Sequence, residues 1–247
     1  MSTSSPAIRA GFERVFVELP GKTISYLECR RAMRQLRDAP GLEAALARVF
    51  SPAMRFIRPL QSRVELEALL GEVRRLRPSA VVEIGTASGG TLFMLTRVAS
   101  ADATLVSIDL PGGAFGGGYP VWRAPLYRSF AGPGQRVHLL RRDSHDPSTL
   151  EELKGVLGGR RVDFLLIDGD HTYEGVKRDF EMYRSLVRPG GMIGFHDIVP
   201  HSAESGCEVD RFWNEIRGTF DSVEFVENWR SQFGGVGLIR SYEPETQ

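Results

Sequence analysis

Cysteine is nearly absent from this 247-residue chain. Cys29 and Cys207 are the only two, far apart and without CxxC or zinc-ligand spacing, so a disulfide framework and a structural zinc site are excluded and reduced thiols are expected. A surplus of one charge is missing as well. The 31 basic and 31 acidic side chains cancel, which removes the electrostatic footprint of a nucleic-acid binder. No apolar run approaches the roughly 18 residues of a membrane helix, and the first residues show no basic stretch followed by an apolar one. A soluble, cytoplasmic protein with a small-molecule partner is the expectation, with no nucleic acid and no membrane. Lysine is limited to Lys22, Lys154 and Lys177, which reads as the bias of a GC-rich genome rather than as chemistry.

The neutrality conceals an asymmetry. Residues 1–78 carry 14 basic against 8 acidic side chains, and residues 79–247 carry 17 against 23. The basic part divides into an arm over about 1–20 and two arginine-rich helical stretches over 26–58, broken at Ala39-Pro40-Gly41. We read residues 1–60 as an arm and helical cap and 61–247 as the main domain. A better-defined helix runs from Arg63 to Arg77, where Leu66, Leu69, Leu70, Val73 and Leu76 recur at helical spacing.

Beyond Pro78 the chain alternates short apolar runs with helical patterns, the signature of β-α units around a mostly parallel sheet. The strands are expected at 80–84, 104–108, 136–140, 162–167 and 192–196. Helices are expected at 91–99, 148–157, 174–188 and 208–220. Two last strands, near 222–227 and 236–239, are joined by a short loop and are expected to pair antiparallel, making seven in all. The glycine-rich segment Pro111 to Pro120 is either a lid or a loose insertion.

The segment Val81-Val82-Glu83-Ile84-Gly85-Thr86-Ala87-Ser88-Gly89-Gly90-Thr91 places strand, glycine turn and helix start in order, a geometry that lets backbone N–H groups approach a ligand. The dinucleotide fingerprint G-x-G-x-x-G is lacking, and Glu83 before the turn disfavours a pyrophosphate. A cationic cofactor fits an acid there better. Singly, Glu83, Asp109 and Asp143 read as helix caps or surface acids; together, at successive strand ends, they read as a ligand site. A second cluster follows the fourth strand in Leu166-Ile167-Asp168-Gly169-Asp170-His171-Thr172-Tyr173, and Phe195-His196-Asp197 ends the fifth. Adjacent strands lie about 4.8 Å apart, so these ends meet around one ion or substrate.

VVEIGTASGGT resembles the first motif of class I S-adenosylmethionine methyltransferases. LLIDGDHTYEGVKRDF with RPGGMIGFHD resembles the subfamily of macrocin and rhamnosyl O-methyltransferases and the cephalosporin-pathway proteins, over residues of about 60 to 200. The resemblance implies a doubly wound, Rossmann-like fold of seven strands with an antiparallel last strand and a helical cap. It implies S-adenosylmethionine held by Gln61, Glu83, Gly85, Thr86, Ser88, Gly89, Asp109 on the ribose diol, Asp143 and Ser144 at the adenine, and Asp168. It also implies a divalent metal, Mg²⁺, on Asp168, His196 and Asp197, with His171 as general base. His196 departs from the pattern, since an acid stands there in several relatives, and it is read as either ligand or base.

The implied activity is metal-assisted O-methylation of a small acceptor, a sugar, another polyol or a phenol-like group of a bacterial secondary metabolite. Relatives are often homo-oligomers. Metal-free methyl transfer to nitrogen or a carboxylate, and a non-catalytic partner that retains the fold, are the alternatives. Among the remaining residues, Asp170 reads as the cap of the following helix, His138 as structural, His145 and His201 as near the functional edge, and Tyr173 and Trp122 as pocket walls or packing.

Overall fold

The computed structural model describes residues 34–36, 39, 41–115 and 118–241. The arm, most of the first helical stretch, Cys29 and part of the glycine-rich loop lie outside the described residues.

Seven strands form one sheet in the order β3-β2-β1-β4-β5-β7-β6. They are β1 (Ala80–Ile84), β2 (Thr104–Ile108), β3 (Arg136–Leu140), β4 (Val162–Ile167), β5 (Val187–His196), β6 (Ser222–Phe225) and β7 (Val236–Arg240). The first five are parallel, and β7 runs antiparallel between β5 and β6. β1, β2 and β4 are buried along their whole length. They are buried on both faces, and mostly apolar rather than alternating, because helices cover both faces of the sheet.

The period of two along each strand divides the core. Val81, Leu105, Phe164 and Met192 face the helices α1 (Gly41–Val49), α2 (Arg63–Leu76), α3 (Gly90–Val98) and α4 (Ala124–Arg128). Val82, Val106, Leu165 and Ile193 face α5 (Pro147–Leu157), α6 (Tyr173–Tyr183) and α7 (Val209–Ile216). Leu46 and Val49 of α1, with Met54 and Ile57 after it, belong to the first of these cores. The described part of the basic N-terminal segment therefore shares a core with the sheet.

The first helix of the main domain is fixed at both ends. Ser62 Oγ accepts from the Glu65 N–H at 3.2 Å and Glu65 Oε2 accepts from the Ser62 N–H at 3.1 Å, a reciprocal cap for two orphan donors. Arg77 closes α2 in the left-handed region at φ 46°, and Pro78 cannot continue it. Glu65 has a second task. Its Oε1 accepts the Glu227 N–H at 3.1 Å and the Gly235 N–H at 3.2 Å, tying the cap to the loop before β7. Because Glu65→Ala leaves three backbone donors without their acceptor, it is expected to cost about 3 kcal/mol in urea unfolding. A loss below about 1 kcal/mol would mean that water replaces the carboxylate.

The structure moves several expected boundaries, two of them around β5. β5 begins at Val187, not at 192, because Val187 pairs with Val162 before the register shifts and Met192 pairs with Phe164. The intervening Arg188-Pro189-Gly190-Gly191 reads as a turn but is carried within the strand. Correspondingly, α6 stops at Tyr183 and one 3₁₀ turn, Arg184–Leu186, leads into β5.

Candidate active site

Register along the parallel strands sets the site. Ile84 pairs with Ile108 and Ile167, Ile108 with Leu140, and Ile167 with Phe195. The residues one step beyond, Gly85, Asp109, Arg141, Asp168 and His196, therefore form a row at the carboxyl edge, where ligands of open α/β sheets bind. Backbone bonds extend the ladder into that row: Gly85 N–H donates to Ile108 C=O at 2.8 Å and Asp168 N–H to Ile84 C=O at 2.8 Å.

A cavity of about 280 Å³ opens on this edge. Gly85, Asp109, Asp143, Ser144, Asp168 and Asp170 line it, and Gly113, Ala114 and Phe115 of the glycine-rich loop cover it. The turn after β1 needs left-handed backbone at Gly85 (φ 84°), Ala87 (φ 44°) and Gly89 (φ 85°). Asp109 holds it in place: one carboxylate oxygen accepts the N–H groups of Thr86 and Ala87, both at 2.8 Å. Burial pushes the Asp109 carboxyl up to about 6, against the pull of those two N–H groups and of Arg141. Its other oxygen remains for a ligand.

Beside the cavity two carboxylates and two imidazoles form a closed ring. Asp168 Oδ1 lies 3.1 Å from His196 Nδ1 and 3.3 Å from His171 Nε2. Asp197 Oδ2 lies 3.3 Å from the other nitrogen of His171 and 3.3 Å from His196 Nδ1. Outer partners brace the ring. Gln61 Nε2 donates to Asp168 Oδ2 at 2.9 Å while its own oxygen accepts from Thr91. Asp197, strained into the left-handed region at φ 64°, accepts the Gly234 N–H at 3.0 Å and faces His201 Nε2 at 3.3 Å. Such strain costs about 1 kcal/mol or more and persists only where surrounding contacts enforce it.

Charge in the ring follows from mutual proximity. Burial disfavours the ionised form of Asp168, yet the positive charge of His196 and the bond from His171 hold its carboxyl below the usual range. Asp197 is likewise held down against burial, first by His196. Burial opposes the charged form of His171, but Asp168, Cys207 and Asp197 push it up to about 10. His196, fully enclosed, is raised by both carboxylates, and its Nε2 has no partner. Asp168, His196 and Asp197 each offer one donor atom within 4.8 Å of the others, and so do His171, Asp197 and Cys207.

Residues 82–198 match the family model of a methyltransferase domain. That stretch runs from β1 through the end of β5 and contains both the acid-lined cavity and the Asp–His ring. The chain is 29% identical over 160 residues to protein y4gI of Sinorhizobium fredii, covering 62% of this chain and 16% of that protein. It is 34% identical over 123 residues to a protein of Acanthamoeba polyphaga mimivirus, covering 47% and 50%. The matches thus span half or less of these curated relatives. Among solved structures, an O-methyltransferase from Bacillus cereus in complex with SAH superposes with a TM-score of 0.55 at 16% identity, over 90% of this chain and 94% of that one. TomG from Streptomyces achromogenes, an O-methyltransferase in complex with SAM, gives 0.54 at 18% over 94% and 96%. Cofactor-bound Rv0187 from MTB gives 0.58 at 18% over 98% and 100%. At these identities the likeness establishes the fold: the seven-stranded, Rossmann-like methyltransferase architecture.

Not every residue expected at the cofactor lines this cavity. Glu83 is completely buried inside β1, on the strand face it shares with Val81. There Thr86 Oγ1 donates to it at 2.8 Å, and burial raises its carboxyl well above the ordinary value. Thr86 is buried against Glu83 and Ser107, and Gly89 packs under the Tyr127 ring. Ser88 turns away, donating to the Arg58 C=O at 2.6 Å. Gln61 reaches the site only through Asp168. The cap of α6 is Thr172, whose hydroxyl accepts the Gly175 N–H, while Asp170 accepts the Thr172 N–H.

Of the other histidines, His138 lies half-buried on β3 and His145 sits 3.3 Å from the buried Asp179 of α6. Tyr173 stands outside the cavity, hydrogen-bonded to Glu215. Sequence reasoning passed over Cys207, the Phe115 ring stacked 4.8 Å from His171, and Phe233, which meets His196 and His201 edge-on. All three arrive on loops far along the chain from their partners. Only their position shortly after a strand, where α/β folds place ligand loops, carried a signal.

Proposed function

We propose that the chain transfers a methyl group from S-adenosylmethionine to a hydroxyl of a small-molecule acceptor. The observation that carries this is the place of Asp168, which lines the acid-rich cavity and closes the Asp–His ring beside it. Within the cavity Asp109 would accept from the ribose diol, Asp143 and Ser144 would face the adenine, and Gly85 would bring the backbone close. The carboxylate of Asp168 suits the cationic end of the cofactor. The cofactor supplies an electrophilic methyl group, and the chain's own task is to hold an acceptor oxygen in line with it.

The ring also fits the divalent ion that the family resemblance implies, with Asp168, His196 and Asp197 to hold it. One imidazole against two carboxylates, with Cys207 nearby, favours Mn²⁺ or Zn²⁺ over the all-oxygen preference of Mg²⁺. Such an ion supplies Lewis acidity that eases deprotonation of the acceptor hydroxyl. His171, stacked on Phe115 and 3.3 Å from Asp168, would take that proton. With both carboxylates facing it, it keeps its own proton at neutral pH, so its basicity depends on their being otherwise engaged.

Calorimetric titration with S-adenosylmethionine, followed by transfer of labelled methyl to a panel of diols and phenols, tests the proposal. Micromolar binding is expected. The affinity should fall about tenfold between pH 7.5 and pH 5, because the raised Asp109 carboxyl is mostly protonated at the lower value. Absence of binding would overturn methyl transfer as the function. Turnover that survives complete chelation would retain it and move the acceptor to the metal-free class.

A further inference from the structure

A second cavity, about 920 Å³, adjoins the first across Ala87 and Gly118, which line both. The two are opposite in charge. The first is faced by four carboxylates, Asp109, Asp143, Asp168 and Asp170, and by Arg142 as its one arginine. The second is faced by Arg55, Arg58, Arg123 and Arg141, and among the described residues no carboxylate lines it. None of those four guanidinium groups takes part in an ion pair among the described residues.

Their hydrogen-bonding capacity is also largely unspent. A guanidinium carries five N–H donors. Arg123 directs Nη1 at the Phe56 C=O and the Tyr127 hydroxyl, at 3.2 and 3.4 Å. Arg141 gives Nη2 to the Tyr119 C=O at 3.0 Å, and its buried Nε has no partner. Four like charges around one opening repel one another unless something negative joins them. The walls between them are aromatic: Trp122, with Arg123 5.4 Å from its ring centroid, and Phe233. Phe233 also meets the His196 and His201 rings at 6.2 and 6.3 Å, so the arginine-lined cavity ends against the Asp–His ring.

We propose that this cavity binds the methyl acceptor, and that the acceptor is a ring-bearing anion whose carboxylate, sulfate or phosphate lies on Arg58, Arg123 and Arg141 while its hydroxyl reaches the Asp168–His171 ring. The proposal rests on the methyl-transfer function above. The charge separation gives it a mechanical sense: a cationic donor is retained in the acidic cavity and an anionic acceptor in the basic one. Each is repelled from the other's place.

The test is titration of the SAH-loaded protein with 3,4-dihydroxybenzoate against catechol, and with glucuronate against glucose. In at least one pair the acid should bind tenfold or more tightly than its neutral partner, and that preference should weaken as salt is raised. It should collapse in Arg123→Gln and in Arg58→Gln; Arg58 is exposed, so its replacement leaves folding intact. SAH affinity should stay within threefold in both variants. Equal binding of acid and neutral compound in both pairs would overturn the proposal. So would Arg variants that weaken SAH instead, which would assign the guanidinium groups to the cofactor's own carboxylate. Failure of the wild-type protein to bind SAH would remove the methyl-transfer function, and the same acid-against-neutral titration without SAH would still decide the charge preference of the cavity.

Discussion

Asp168→Asn should lower turnover by about three orders of magnitude, the scale on which one preorganised electrostatic group acts in a buried site, with the fold left intact. Asparagine is nearly isosteric, so the helix and strand around residue 168 need not move. What changes is charge and donor pattern. Asp168 accepts from Gln61, His171 and His196 at 2.9 to 3.3 Å. An amide presents one acceptor and one donor in place of two acceptors, so its NH₂ meets either Gln61 Nε2 or the imidazoles. The push that Asp168 exerts on His171 and His196 is lost, and that of Asp197 remains. Single-turnover methyl transfer reads the rate, and circular dichroism with thermal melting reads the fold. Turnover within tenfold of wild type in a folded protein would remove Asp168 from the reaction.

The same residue shows why so much of the site could be read from the chain. Asp168 follows a run of six buried residues, Val162–Ile167, and a short, mostly apolar run of that length reads as a strand of an α/β sheet covered on both faces. Expected and observed bounds of β1 to β4 coincide. Once strands are aligned by register, the residue after each is placed in the row without further information. Glu83 shows the limit of this logic. It stands two residues before the row, inside β1, and there its side chain is buried beside Thr86 on the strand face it shares with Val81 instead of reaching the cavity.

What the chain hid is what loops bring from a distance. Phe115, Cys207 and Phe233 join residues 168–197 through connections with no periodic pattern, and nothing about a lone aromatic or thiol indicates its partner. The charge asymmetry between the two parts of the chain was visible, but not its geometry. Arg55 and Arg58 from the basic N-terminal part meet Arg123 and Arg141 from the acidic remainder around one cavity. Counting charges along the sequence could not bring them together, because Arg55 and Arg58 precede α2, Arg123 lies in the connection between β2 and β3, and Arg141 follows β3.

Gly85→Ala should be the most damaging single methyl group among the described glycines. Gly85 sits at φ 84°, and a Cβ built on it falls 1.8 Å from the Asp168 carbonyl oxygen and 2.8 Å from the Gly169 nitrogen. Two penalties add. A left-handed non-glycine residue costs about 1–2 kcal/mol, and forcing packed groups apart costs a further 1–3 kcal/mol, so a loss of about 3 kcal/mol in urea unfolding is expected. Relief is possible only by parting β1 from β4 at the carboxyl edge, where the cavity and the Asp–His ring share Asp168. Affinity for S-adenosylmethionine should therefore drop at least a hundredfold, about 3 kcal/mol. Gly158→Ala separates the two penalties: Gly158 has φ 59° and nothing within 4 Å of its built Cβ, so it bears backbone strain alone, about 1 kcal/mol, and leaves cofactor binding unchanged. If the two substitutions proved equally costly, the close approach of β1 and β4 would not be what holds the cavity in shape.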